Sequence, residues 1–154
     1  MPISYRVDHE ARVVVAAGHG VLTDADVFGY QREAWSRPDL TGYNELIDMT
    51  HVDQIALPSA DRIRGLASLS AEMDSPKTRT RLAVVVTDNF AFGLGRMLQA
   101  YRELDRRSTK EIGIFRAMEE ALLFLGLERL VEMPGLSAPT SAASSSPRRG
   151  TERC

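Results

Sequence analysis

ELIDMTHV, at residues 45–52, is a short and mostly apolar stretch that ends in polar residues. It predicts a buried third strand over Glu45–Met49. Pro58 and Ser59 follow within a few residues, where a second helix is predicted to begin. In open α/β sheets, ligands and partners are usually bound where a strand is followed by the N-terminus of a helix. This corner between the third strand and the second helix is therefore the first candidate site.

Apolar patterns on both sides of this stretch predict further strands. Ile3–Asp8 alternates between apolar and polar residues, and Arg12–Ala17 contains three consecutive valines. These two segments are predicted to pair as a hairpin, whose second strand ends at Gly18 and Gly20. Leu82–Val86 is almost entirely apolar, which is typical of a strand buried on both faces of a parallel sheet.

Helical spacing of apolar residues predicts four helices. Thr23 is expected to cap the first helix, and Gly126 is expected to end the fourth. The third helix is expected to place Phe90, Leu94 and Leu104 on its apolar face, whereas the charged run Arg102–Arg107 is expected to be a solvated helix end. The first helix is predicted to start after Thr23 and to stop at Arg37–Asp39, and the second is predicted over Ser59–Met73. The third is predicted from Asn89 to about Arg106, and the fourth over Met118–Leu125. A last strand, Ile112–Phe115, is predicted before the fourth helix.

The order of these elements, β-β-α-β-α-β-α-β-α, predicts an α/β fold. After an N-terminal antiparallel hairpin, each helix should connect neighbouring parallel strands, which gives a mixed sheet of about five strands covered by about four helices. Residues 1–133 are predicted to form one domain. Residues 134–154 are rich in Ser, Ala and Pro and are predicted to be a disordered tail.

Composition excludes several classes of function. A net charge of −2 and a pI near 5.9 argue against nucleic-acid binding. No apolar run approaches the roughly 20 residues of a membrane span. The only cysteine is Cys154, so a reducing, cytoplasmic location is expected. The three histidines lie in separate predicted turns without metal-ligand spacing, so no metal site is expected.

Four segments together resemble the STAS superfamily of sulfate transporter and anti-sigma-factor antagonist domains, and more closely its small bacterial SpoIIAA-like, or STAS/SEC14-like, branch. The resemblance covers roughly residues 1–131. The four segments are ISYRVDHEARVVVAAGHGVLTDADV (3–27), ELIDMTHV (45–52), AVVVTDNFAFGLGRMLQAY (83–101) and IGIFRAMEEALLFLG (112–126).

The resemblance implies a regulatory module that docks a protein partner at the corner between the third strand and the second helix. In the anti-sigma-factor antagonists, the corresponding strand leads to an Asp-Ser-Ser-Gly corner, where a kinase phosphorylates a serine. Here Asp48 and Thr50 match the strand, but the phosphoserine position falls on Pro58, and Ser59 reaches it only by a one-residue shift. The Asp-Ser-Ser-Gly string is absent. Ser59 is therefore either a regulated phosphate acceptor or a plain N-cap.

The SEC14-like naming of the branch implies a second function, the carriage or sensing of a small apolar ligand. Successive aromatic residues at a helix start cannot easily all face the core, so Phe90 or Phe92 is a candidate for lining an apolar pocket. An apolar stripe with Phe28 and Trp35 could equally form a homodimer. No motif supports catalysis, because the sequence has no Gly-x-Ser-x-Gly elbow, and neither an enzyme activity nor a cofactor is expected.

Overall fold

The computed structural model describes residues 2–56 and 59–127. The predicted tail at residues 134–154 and the candidate residue Pro58 lie outside the described residues. In the described part of the chain, none of the helices combines the length and apolar character needed to cross a membrane.

The order of elements along the chain confirms the predicted alternation. Its elements are β1 (Ile3–Asp8), β2 (Val13–Thr23), α1 (Asp24–Trp35), a short 3-10 helix (Pro38–Leu40), β3 (Asn44–Ala56), α2 (Ala60–Glu72), β4 (Thr80–Val85), α3 (Asn89–Leu104), β5 (Lys110–Phe115) and α4 (Met118–Leu125).

The strands form one mixed sheet in the order β1-β2-β3-β4-β5. β1 is antiparallel to β2, and β2 to β5 are mutually parallel. Alternate side chains of each strand point to opposite faces, and the apolar clusters follow this alternation. Val15, Leu46 and Val85 pack against α4. On the other face, α1 packs with Ala16, and α3 begins over Val84. The fold is thus the predicted sheet covered on both faces.

Short polar contacts fix where the helices begin and end. The Thr23 hydroxyl accepts from the backbone N–H of Asp26, whose carboxylate accepts from the backbone N–H of Thr23, so the predicted cap is confirmed as a capping box. Gly126 ends α4 with φ at 76°, a left-handed conformation that favours glycine. For α3, Asp88 supplies the cap by accepting from the N–H of Ala91 at 2.8 Å, whereas Asn89 is the first helical residue.

The predicted end of β2 at Gly18 and Gly20 is wrong, because β2 continues through both glycines to Thr23. Over this whole length it pairs with β3, which continues to Ala56. The register shifts twice along this parallel pair, and at each shift β3 carries one residue more than β2. Gly18 and Gly20 of β2 lie at these two shifts, a position typical of glycine in a strand. Gly20 has φ at 68°, and a Cβ on Gly18 would lie 2.9 Å from Val52. Such bulges break the periodicity on which the sequence prediction rests.

We expect Gly18→Ala to lower the free energy of unfolding by about 1–3 kcal/mol, because the added methyl would force Val52 and its neighbours to move in a buried site. The matched control is Gly29→Ala, an exposed position inside α1 with open space around a Cβ. It should raise stability by about 0.5–1 kcal/mol through helix propensity. Urea unfolding measures both, and equal effects of the two substitutions would contradict the packing at Gly18.

Candidate functional site

A cavity of about 110 Å³ lies between the sheet and the helices α1, α2 and α3. Most of its lining is apolar and comes from β2, β3, β4 and all three helices. The apolar lining residues are Leu22, Val27, Ile47, Met49, Ile55, Ile63, Leu66, Leu82, Val84, Val86, Ala91, Leu94, Gly95 and Leu98, and the polar ones are Tyr30, Gln31, Glu45, Ser70, Arg102 and Lys110. We call this space the sheet–helix cavity.

The sheet–helix cavity has two chemically different ends. Because each helix connects parallel strands, the last turns of α2 and α3 lie beside the amino ends of the strands. Ser70 and Arg102, near the ends of α2 and α3, therefore meet Glu45 and Lys110, near the starts of β3 and β5. We call these four residues and Tyr30 the polar end. Toward the carboxyl ends of the strands the lining is apolar, with Val86 among its residues.

A buried ion pair lies at the centre of the polar end. Glu45 is 2% exposed, and its Oε1 lies 3.0 Å from Nζ of Lys110. Its Oε2 accepts from the Tyr30 hydroxyl at 2.6 Å and from Nε1 of Trp35 at 3.1 Å. The Lys110 ammonium also lies 3.7 Å from the centroid of the Trp35 ring, a cation–π contact. The carboxylate is thus compensated by one cation and two neutral donors, as a buried charge requires.

Burial raises the pKa of the Tyr30 hydroxyl well above its ordinary value, and the adjacent Glu45 carboxylate raises it further. Both effects disfavour the phenolate, since an ionised tyrosine would be a second buried negative charge beside Glu45. Tyr30 therefore remains a proton donor to Glu45 over the whole neutral range.

A second buried ion pair joins the turn after α2 to α3. Arg102 is 2% exposed, and its Nη2 lies 2.5 Å from Oδ2 of Asp74. Nη1 donates to the Ser70 hydroxyl, and Nε donates to the Ser108 hydroxyl at 3.2 Å. The prediction that the run beginning at Arg102 is a solvated helix end is therefore wrong for Arg102 itself. Arg102 continues the inward stripe of α3, one turn after Leu98.

The predicted docking corner is only partly exposed. Asp48 is buried, and its Oδ1 accepts from both the backbone N–H and the hydroxyl of Thr50, at 2.9 and 2.6 Å. Asp48 and Thr50 are thus bonded to each other, and both point to the face opposite the sheet–helix cavity. Ser59 occupies the N-cap position of α2, is exposed, and forms no capping bond through its side chain. Asp48 is thus buried whereas Ser59 is exposed, and the role of Asp48, Thr50 and Ser59 in docking stays a prediction.

The two candidate aromatic residues flank Ala91, which lines the sheet–helix cavity, but neither ring is part of the lining. Phe90 is 61% exposed. Phe92 packs against the apolar cluster of β4 and β5, with the Arg116 guanidinium 4.3 Å from its ring centroid. Leu104, also expected on the apolar face of α3, is 81% exposed. A ligand-binding role for Phe90 and Phe92 stays a prediction.

The three histidines do not assemble with other ligands. The rings of His19 and His51 lie 5.8 Å apart on the extended β2 and β3, whereas His9 bonds to the Tyr43 hydroxyl. Across residues 2–56 and 59–127, no three His, Cys, Asp or Glu side chains are grouped as metal ligands would be.

Sequence reasoning missed the polar end of the cavity, although a signal for it exists. Glu45 lies near the start of the mostly apolar stretch of β3, and a charged residue inside a buried strand needs a partner of opposite charge. Sequence patterns alone could not pair Glu45 with Lys110, since 65 positions separate them along the chain.

No protein-family model and no curated protein matches the chain. Among solved structures, the chain is similar to an uncharacterised protein of the DUF3478 family with a SpoIIAA-like fold, from Shewanella loihica PV-4. The two are 17% identical, with a TM-score of 0.52 over 80% of this chain and 93% of the other. This likeness, together with the mixed five-stranded sheet and four helices, confirms the predicted SpoIIAA-like fold.

We expect Lys110→Met to lower the free energy of unfolding by about 3–5 kcal/mol, because it leaves the Glu45 carboxylate buried without its cation. The double variant Lys110→Met/Glu45→Gln should recover most of this loss, since a neutral amide oxygen still accepts from Tyr30 and Trp35. Urea unfolding of both variants measures the difference.

The control for this pair is Arg64→Met, which removes one member of the exposed Arg64–Asp61 pair on α2. It should change stability by no more than about 1 kcal/mol. A Lys110→Met variant as stable as Arg64→Met would contradict the burial of the Glu45–Lys110 pair.

Proposed function

We propose that the protein is a non-catalytic binding module that carries or senses a small apolar ligand in the sheet–helix cavity. One observation supports this most directly: an apolar cavity lies between the sheet and three helices, where a packed core would otherwise be. Protein interiors are normally packed as densely as organic crystals, so an apolar space of this size is uncommon without an occupant.

The size of the sheet–helix cavity gives the energetic argument. At about 24 cal/mol per Å³, the figure for enclosed cavities, an empty space of 110 Å³ corresponds to at most roughly 3 kcal/mol of lost packing contacts. A ligand that fills the space with apolar atoms restores those contacts. Cavities of about this volume admit molecules of the size of benzene, so the ligand, or the part of it that enters, is small.

Because the lining comes from separate strands and helices, a ligand in the cavity would influence the positions of these elements relative to one another. Ile55 lies near the end of β3 and Ile63 lies in the first half of α2, so a ligand between them contacts both sides of the predicted docking corner. This arrangement suits a sensor, in which a ligand changes how the corner is presented.

We expect toluene, used as an apolar probe, to raise the free energy of unfolding of the native protein by about 1–3 kcal/mol at concentrations well above its Kd. Leu94→Trp, which places an indole in the cavity, should abolish this stabilisation. The matched control is Leu104→Trp on the same helix, because Leu104 is exposed. Urea unfolding with and without toluene measures the effect, with circular dichroism to confirm that each variant is folded.

Native mass spectrometry after mild purification complements this measurement, because a co-purifying apolar molecule should be retained by Leu104→Trp and lost from Leu94→Trp. The proposal fails if toluene stabilises none of the proteins, or if it stabilises Leu94→Trp as much as the native chain.

A second candidate function, docking of a protein partner at the corner between β3 and α2, is favoured by the exposure of the start of α2. Residues 59–62 are all exposed, and the Ser59 hydroxyl is not used in capping. A helix N-terminus with its first N–H groups exposed is a favourable position for an acidic group of a partner, or for a phosphate on Ser59 itself.

We expect Ser59→Glu to release a partner that the native chain retains from extracts of the source organism, since the added carboxylate would repel an acidic group bound there. The matched control is Ser68→Glu, at an exposed position on the same helix. Affinity capture followed by mass spectrometry compares the three proteins. A docking role at this corner is contradicted if Ser59→Glu retains the same proteins in the same amounts as the control.

A further inference from the structure

The polar end of the sheet–helix cavity has more hydrogen-bond donors than its own acceptors use. An ammonium group has three N–H donors, and within the described part of the chain the partners of Lys110 are the Glu45 carboxylate and the Trp35 ring. A guanidinium group has five N–H donors. Arg102 uses one on each of Ser108, Ser70 and Asp74. Both cations therefore keep N–H groups without a described partner, although both are buried.

The acceptors around these cations, apart from Oδ1 of Asp74, already accept hydrogen bonds from described residues. Oε1 of Glu45 accepts from Lys110, and Oε2 accepts from Tyr30 and Trp35. Oδ2 of Asp74 accepts from Arg102 and from the backbone N–H of Thr109. The Ser70 hydroxyl accepts from Arg102 and donates to the backbone of its own helix. An additional acceptor would satisfy buried N–H groups that otherwise cost free energy.

Charge decides which kind of acceptor fits. Lys110 pairs with Glu45, and Arg102 pairs with Asp74, so the two cations are already neutralised by two carboxylates. An ionised ligand would bring a further charge into this buried site without a counter-charge, and desolvation of an ion costs several kcal/mol. A carbonyl or ester oxygen accepts the same N–H groups without that cost. A ligand ammonium adds donors where donors are already in excess.

From the excess of buried donors, the balanced charge and the apolar remainder of the lining, we infer that the sheet–helix cavity selects an uncharged apolar molecule with one carbonyl-type acceptor, held by Lys110 and Arg102. This inference rests on the proposed function, since it names the class of ligand for the same cavity. The acceptor lies at the amino ends of the strands, and the hydrocarbon part lies toward Val86 and Ala91.

The test compares four probes that differ in their polar group: methyl hexanoate, hexanoate, hexylamine and toluene. Each is titrated into the native chain by calorimetry. Methyl hexanoate should bind more tightly than hexanoate and hexylamine, by at least the roughly threefold to tenfold that one net hydrogen bond provides. Trp35 is the only tryptophan and contacts both Glu45 and Lys110, so its fluorescence should respond to methyl hexanoate and not to toluene.

The charge-balanced variant Lys110→Met/Glu45→Gln removes the Lys110 donors while keeping the cavity neutral. It should lose about threefold to tenfold in affinity for methyl hexanoate and keep its affinity for toluene. The matched control is Arg64→Met/Asp61→Asn, which neutralises an exposed pair on α2 and should leave both affinities unchanged.

The outcomes separate this inference from the proposed function. Binding of toluene with no preference for methyl hexanoate over the charged probes would overturn the inference and leave the apolar cavity as a ligand site. Tighter binding of hexanoate than of methyl hexanoate would overturn the inference that the ligand is uncharged and would indicate a carboxylate ligand instead. Failure of all four probes to bind would overturn the proposed function together with the inference.

Discussion

The Glu45 carboxylate is the constraint on which the rest of this structure depends. It stands on a mostly apolar sheet face, where an uncompensated charge would cost more free energy than a small domain can easily lose. Its partners come from α1 and from β5, so one side chain fixes the first helix and the far strand relative to each other. The strands of Glu45 and Lys110 are two strand spacings apart, roughly 10 Å, and Lys110 lies two residues before the position opposite Glu45, a gap that two long side chains bridge.

The connectivity of the fold gives the sheet–helix cavity its two ends. Each crossover helix runs antiparallel to the strands that it connects, so the residues that end helices and the residues that begin strands meet at one edge of the sheet. Here Ser70 and Arg102 end helices, whereas Glu45 and Lys110 begin strands. The opposite edge receives the first turns of α2 and α3, whose inward residues are small or aliphatic. Polar and apolar chemistry are therefore separated along the strands.

Local signals predicted the fold well. The capping box at Thr23, the left-handed end at Gly126 and the apolar run of β4 are all properties of a few neighbouring residues, and the structure confirms them. The length of β2 was not predictable in this way, because the pairing with β3 tolerates bulges at positions that resemble strand ends.

The candidate site was harder to predict, because it depends on contacts between distant segments. Helical periodicity places Arg102 on the inward stripe of α3, but an arginine among other charged residues resembles a solvated helix end until Asp74 and Ser70 are known to lie beside it. Phe90 and Leu104 show the converse, since apolar character alone does not place a helical residue inside. The residue types of a helix suggest which side chains are buried, but the surface that packs against the helix decides which of them are.

The extended end of β3 has a consequence for the behaviour of the protein in concentrated solution. Among the described residues, the ladder with β4 covers Glu45–Asp48 only, so the later part of β3 has one edge without a strand beside it. Such an edge is a template for pairing with another chain and hence for aggregation. The two bulges twist this segment, and the exposed His51, Asp53 and Gln54 place polar groups along it. The bulges that made the length of β2 unpredictable from the sequence therefore also protect this edge from pairing with strands of neighbouring molecules.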